Sequence, residues 1–170
     1  MTSPGSQETD DLKYMAHALT LAKKAAGFGE VPVGAVIVYD GNIVGEGWNL
    51  RETRKSALEH AEIMAISAAS KHLDRWRLSD AKLYVTLEPC LMCAGAIYQA
   101  RIPEVIFGAT DPKAGACGSL YKVNEDTRLN HRFLVRSGVL AEECGAILKD
   151  FFRQRRQNQS TTISDDDNGA

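Results

Sequence analysis

The sequence predicts an α/β fold in which helices cover both faces of a mixed sheet. Three observations carry that prediction. Two apolar runs, at 33–39 and 42–48, are joined by Asp40-Gly41, the strongest short hairpin signal. A strand–helix–strand alternation follows, with a strand at 82–86, a helix from Pro89 to about residue 100 and a strand at 104–107. Stretches of helical period open and close the chain.

Each element has its own local justification. Leu12, Met15, Ala16, Leu19, Ala22 and Ala26 recur at helical spacing, with Asp10 or Asp11 as the expected N-cap and Gly27 as the stop. Residues 60–72 read as a helix apolar on several sides, hence buried. Pro89 suits the start of the next helix, where its missing N–H costs nothing. A short run at 133–136 gives one more strand. Leu140, Cys144, Ile147, Leu148, Phe151 and Phe152 then mark one face of a closing helix. Residues 1–10 and 157–170 are polar and partly acidic with almost nothing to bury, so both are expected as disordered tails around a single domain at 11–156.

Composition narrows the function classes. The chain has 170 residues, 44% hydrophobic and 25% charged, which suits one globular domain and excludes collagen-like or coiled-coil readings. The longest apolar run, at 33–39, is too short to cross a bilayer, so no membrane partner is expected. Nothing at the start resembles a secretory signal, so a cytoplasmic, reducing location is expected. Net charge is −2, but all twenty Lys and Arg lie between Lys13 and Arg156, against sixteen acids in that span. That body carries +4, which permits contact with a phosphate backbone without requiring it.

The four cysteines are Cys90, Cys93, Cys117 and Cys144. In a reducing compartment a Cys-x-x-Cys pair points to metal or redox chemistry rather than to a disulfide. Cys90 and Cys93 sit at a helix N-terminus, whose partial positive charge favours the thiolate that zinc binds. His60 supplies a third candidate ligand. Three protein ligands leave a position for water, which zinc activates near neutral pH. Glu62 is unsuited to be a fourth ligand but suited to carry protons. His-x-Glu followed by Pro-Cys-x-x-Cys is the general pattern of zinc deaminases. Taken alone, the Cys pair describes a dithiol redox protein equally well; the His60-Ala61-Glu62 element favours zinc. Glu88 reads as a structural acid, Cys117 and Cys144 as packing residues. The cations Lys149, Arg153, Arg155 and Arg156 either complement a helix C-terminus or contact phosphates, with Phe152 as a platform for a base.

With these residues in place, the chain resembles the bacterial tRNA-specific adenosine deaminases. The likeness rests on EVPVGAVIV at 30–38, GEGWN at 45–49, HAEIMAI at 60–66, LYVTLEPCLMCAGAI at 83–97, VIFGATDPKAGACGSL at 105–120, Asn130-His131-Arg132 and FFRQRR at 151–156. The resemblance implies a three-layer α/β/α cytidine deaminase-like fold around a five-stranded sheet, a homodimer, and conversion of the wobble adenosine of a tRNA anticodon to inosine. It implies that His60, Cys90 and Cys93 bind one zinc ion and that Glu62 shuttles protons. By the same resemblance Asn49 holds the target nucleoside, Val33 and Leu87 line the base pocket, and Asp111 and Asn130 contact the anticodon. Phe152, Arg153 and Arg155 match a C-terminal helix that meets the anticodon loop. One stretch departs: Ser56-Ala57-Leu58-Glu59 stands where the family often has Asp-Pro-Thr-Ala. The rival on the same scaffold is a deaminase of free bases or nucleosides, and Cys117 has no assigned role.

Overall fold

The computed structural model describes residues 4–165, with side chains from 5 to 159. Helix α1 (Pro4–Gly27) leads into the hairpin β1 (Gly34–Tyr39) and β2 (Asn42–Trp48). A single turn, α2 (Arg51–Arg54), precedes α3 (Ala61–His72). Then come β3 (Ala81–Leu87), α4 (Leu91–Ala100), β4 (Glu104–Ala109), a 3-10 turn at Val123–Glu125, β5 (Leu134–Ser137) and α5 (Ala141–Asp165). The sheet runs β2-β1-β3-β4-β5. β1 pairs antiparallel with both β2 and β3, while β3, β4 and β5 are parallel, so the sheet is mixed as expected. Asp40 and Gly41 both have positive φ, 48° and 71°, as a two-residue hairpin turn of that hand requires.

Alternation along the central strands feeds two cores. Ala35 and Ile37, Leu83 and Val85, Val105 and Phe107 face α3 and α4, meeting Ala61, Ala65, Ala69, Ala94 and Ile97. The intervening Val36, Val38, Tyr84 and Ile106 face α1 and α5, meeting Tyr14, Met15, Ala18, Leu19 and Cys144. Helices on both faces give the three-layer arrangement.

Contact between α3 and β2 depends on small residues. A Cβ at Gly47 would lie 2.1 Å from the Ala61 carbonyl oxygen, and one at Gly45 2.3 Å from that of Ala65. With alanine at 61, 65 and 69, one per turn on one face, the helix backbone rests almost directly on the strand. That seat fixes where α3 begins.

Two expectations about the ends are corrected. Helix α1 starts at Pro4 rather than at Asp10 or Asp11, so most of 1–10 is helix; residues 1–3 lie outside the described residues. Pro4 is well placed at a helix start. Asp11 is not a cap: its buried carboxylate accepts hydrogen bonds from Tyr84 and Arg136, which ties α1 to β3 and β5. At the other end α5 continues to Asp165 instead of stopping near Arg156, and 166–170 lie outside the described residues. No Gly or Pro interrupts 146–165, and extending a formed helix adds one hydrogen bond per residue fixed. Phe152, placed on the packed face by its spacing, is 41% exposed. No helix among the described residues is long and apolar enough to cross a membrane.

Candidate metal and active site

Two helix starts meet at the end of the sheet where β3 finishes. His60 is the N-cap of α3, with φ −81° and ψ 153°, and Cys90 is the N-cap of α4, with φ −74° and ψ 176°. Neither side chain caps its own helix, so both are available to a ligand. His60 Nδ1 lies 3.7 Å from Cys90 Sγ and 3.6 Å from Cys93 Sγ. The three donor atoms lie within 4.8 Å of one another, and no fourth His, Cys, Asp or Glu joins them among the described residues. One nitrogen and two sulfurs, close together at two helix N-termini, form a donor set that fits zinc.

The electrostatics agree with that use. Hydrogen bonding from Cys93, then from His60, draws the Cys90 thiol down to about 4 against the opposing effect of burial. Cys93 moves up, because it shares its proton with Cys90 and is buried. His60 is raised by its hydrogen bond to Cys90, which outweighs burial. A bound divalent cation would take the proton from Cys93 as well, since coordinated thiols are deprotonated. Glu62, in the first turn of α3 and only 4% exposed, is pushed up to about 7 by burial and by the neighbouring Cys90 charge. The imidazole beside both sulfurs is a donor that a simple dithiol redox pair does not need.

A cavity of about 160 Å³ opens beside these groups. It is smaller than pockets for drug-sized ligands, which run roughly 300–1,000 Å³, and suits a single base. Val33, Asn49, His60, Glu62, Leu87, Cys90 and Asp111 all line it, as does Glu88, so eight of the residues singled out from sequence come together here. Cys93, which is fully buried, and Asn130, Phe152, Arg153 and Arg155 are not among its lining residues. Asn130 accepts a hydrogen bond from Tyr98 at 2.7 Å. Phe152 packs edge-on against Phe151, Arg153 pairs with Asp150 at 2.8 Å, and Arg155 faces a separate groove between α1 and α5.

Three features escaped the sequence reading. Arg51 lines the cavity as its only Lys or Arg. Its N–H donates to Asn49 Oδ1 at 3.2 Å, and Asn49 Nδ2 donates to the Val31 carbonyl at 3.3 Å. Glu30, 1% exposed, accepts the N–H groups of Glu52 and Thr53 and so holds the turn that carries Arg51. Burial acts to raise the Glu30 carboxyl, but these backbone hydrogen bonds outweigh it and leave it below its ordinary value. Glu88 is the structural acid expected, with a larger reach than expected. It accepts from the N–H groups of Asp111, Cys117 and Ser119 and from the Ser119 hydroxyl, which binds the whole 111–119 loop to the end of β3. The signal available in sequence was Gly115, where any Cβ would collide with the Glu88 carboxylate at 2.3 Å. Cys117 thereby gains a place: buried, with its N–H on Glu88.

Residues 9–156 match the model of the MafB19-like deaminases. A tRNA-specific adenosine deaminase of Bacillus subtilis (strain 168) is 50% identical over 151 residues, 89% of this chain and 94% of that one. The chain belongs to the tRNA-specific adenosine deaminases. Another member, from Haemophilus influenzae, is 51% identical over 150 residues, covering 88% of this chain and 87% of its own. Among solved structures, one from studies of A-to-I editing by tRNA:A34 deaminases at the wobble position is 41% identical. It has a TM-score of 0.78 and covers 80% of this chain and 99% of that chain. A guanine deaminase from Bacillus subtilis is similar over a smaller share, at 43% identity and a TM-score of 0.57, covering 63% of this chain and 69% of its own. The tRNA-specific adenosine deaminases thus share with this chain both the fold and nearly the whole of its length.

Proposed function

We propose that this deaminase hydrolyses the wobble adenosine of a tRNA anticodon to inosine, releasing ammonia, with one zinc ion per chain held by His60, Cys90 and Cys93. The observation that carries the reading is that the three-donor cluster and a buried carboxylate stand beside one base-sized cavity, which His60, Cys90 and Glu62 line. The family membership supports the substrate. When bound, zinc supplies a Lewis acid that makes water nucleophilic near neutral pH. Glu62 takes one proton from the attacking water and delivers it to the purine ring, then carries the second, from the new hydroxyl at C6, to the departing amine, which leaves as ammonia. Its raised proton affinity suits a group that must both accept and donate near pH 7. Val33 and Leu87 exclude water from the faces of the base, and Asn49 orients the nucleoside. A target in a single-stranded loop is cheaper to unstack than one in a duplex. Asp111, Asn130, Phe152, Arg153 and Arg155 are assigned to the anticodon loop, and a cytoplasmic homodimer is the assembly; these assignments rest on the resemblance.

The test is incubation of zinc-loaded protein with a tRNA transcript bearing adenosine at the wobble position. Sequencing of the product should read inosine there and at no other adenosine; unmodified tRNA would reject the proposal. The likeness to a guanine deaminase and the single-base cavity favour a second reading, a deaminase of free bases. The double variant Arg153→Ala, Arg155→Ala separates the two. It should lose activity on tRNA and leave any activity on free bases or nucleosides unchanged, and full tRNA activity would count against the anticodon assignment.

A further inference from the structure

Glu30 is a charged side chain only 1% exposed, and what its carboxylate meets is backbone: the N–H of Glu52 at 3.2 Å and that of Thr53 at 2.6 Å. Taking a carboxylate out of water is costly unless its hydrogen bonds are made good. The element it holds is α2, a four-residue turn that buries none of its own residues and so adds nothing to the core. Leu50 stands at the N-cap of this turn without a side chain able to cap it. The leading N–H groups are taken from outside instead, those of Glu52 and Thr53 by Glu30 and that of Arg51 by Asn49.

Asn49 connects the turn to the cavity, which it lines together with Arg51. Its Oδ1 accepts from the Arg51 N–H at 3.2 Å, and its Nδ2 donates to the Val31 carbonyl at 3.3 Å. A backbone N–H only donates and a backbone carbonyl only accepts, so the amide has one orientation. Turned over, it would set N–H against N–H and oxygen against oxygen. Both bonds are long for N–H···O, so holding the side chain takes the two together. The Val31 end is steadied by the strands, where the Asn49 N–H donates to the Val33 carbonyl at 3.2 Å. The Arg51 end depends on the turn, and the turn depends on Glu30. We infer that Glu30 is a positioning residue: by holding α2 it keeps the Arg51 N–H on Asn49 and so fixes the amide edge that Asn49 turns to the nucleoside. The inference rests on the assignment of Asn49 to the target nucleoside.

Hydrogen exchange and NMR of the zinc-loaded protein test the pinning itself. On so exposed a turn, the Arg51, Glu52 and Thr53 amides should still exchange at least about tenfold more slowly than free amides. The Asn49 side-chain amide should give two separate, slowly exchanging proton signals. Glu30→Gln puts an N–H donor where a carboxylate oxygen accepted, and all of this protection should fall. Kinetics on an anticodon stem-loop then read the consequence. Glu30→Gln should lower kcat/KM about ten- to a hundredfold with unchanged zinc content, and Asn49→Ala at least as much. The double variant should be no worse than Asn49→Ala, since Glu30 then has nothing to position. A merely structural Glu30 would cost the same factor in either background; that result, or wild-type kcat/KM in Glu30→Gln, would overturn the inference alone. A freely exchanging Arg51 amide in the wild-type protein would also overturn it, whether or not Glu30→Gln folds. Wild-type kcat/KM in Asn49→Ala would remove both the Asn49 contact and the inference. No inosine from the wild-type enzyme would reject the proposed function itself, and the inference with it.

Discussion

Substituting Gly47 by alanine tests whether the seat of α3 positions the metal ligands. The added Cβ would stand 2.1 Å from the Ala61 carbonyl oxygen, 2.6 Å from the Ala65 nitrogen and 2.8 Å from Met64 Cβ. Two of these are backbone atoms of the first turns of α3, so no side chain can rotate away. To reach 3.0 Å from the carbonyl, helix and strand must part by about 0.9 Å. The helix start that would move carries His60 and Glu62, while Cys90 and Cys93 stay with α4. Overpacking of this kind costs roughly 1–3 kcal/mol of stability. Misplacing a reacting group by about 1 Å costs on the order of 10²-fold in rate. The variant should therefore unfold at lower denaturant, bind zinc more weakly and deaminate about a hundredfold more slowly. The assay compares urea unfolding, zinc content after dialysis and inosine formation. A variant with wild-type zinc content and rate would refute the view that this contact sets the ligand geometry.

Gly145 offers the opposite case, since a Cβ there meets nothing within 4 Å inside α5; Gly145→Ala should stabilise by about 0.5–1 kcal/mol in urea unfolding, with unchanged activity. Glu62→Gln should retain stoichiometric zinc by elemental analysis and lose roughly 10²–10⁴-fold in turnover; an unchanged rate would remove Glu62 from proton transfer. Arg136→Ala leaves the Asp11 carboxylate buried without its cation, at about 2–3 kcal/mol near pH 7 by urea unfolding. Burial acts to raise the Asp11 carboxyl, but Arg136 and Tyr84 outweigh it and hold it below its ordinary value. A depressed carboxyl stabilises above its unfolded value and ceases to do so as pH falls through its folded value, so the gap between wild type and variant should shrink below about pH 4. A gap of equal size at pH 7 and pH 3 would contradict this account.

The hairpin, the α4 crossover and the clustering of His60, Cys90 and Cys93 could be read in the sequence because the signals are local. Asp40-Gly41 selects its turn by backbone preference, and Cys90-x-x-Cys93 gathers two ligands within one helical turn. What could not be read depends on buried carboxylates answering to backbone N–H groups. Glu30 holds a turn 22 and 23 residues further on, and Glu88 holds N–H groups 23 to 31 residues on. Every residue but proline offers the same N–H, so the partner leaves no trace in residue identity. Arg51 was missed for that reason, since its place depends on Glu30 and Asn49. The helix ends were misjudged differently: polar composition at 4–10 and 157–165 signals exposure, which a solvated helix and a disordered tail share.

The alanine–glycine seam between α3 and β2 separates assembly of the scaffold from assembly of the metal centre. In a zinc finger the ion supplies the folding energy, and the empty protein has no structure. Here the two ligand-bearing helices are held by apolar cores and backbone-close packing made of residues that never touch the ion. On the proposed zinc assignment the receptacle is complete without the cation, so a chelator should empty it and leave the chain's circular dichroism and urea midpoint largely unchanged.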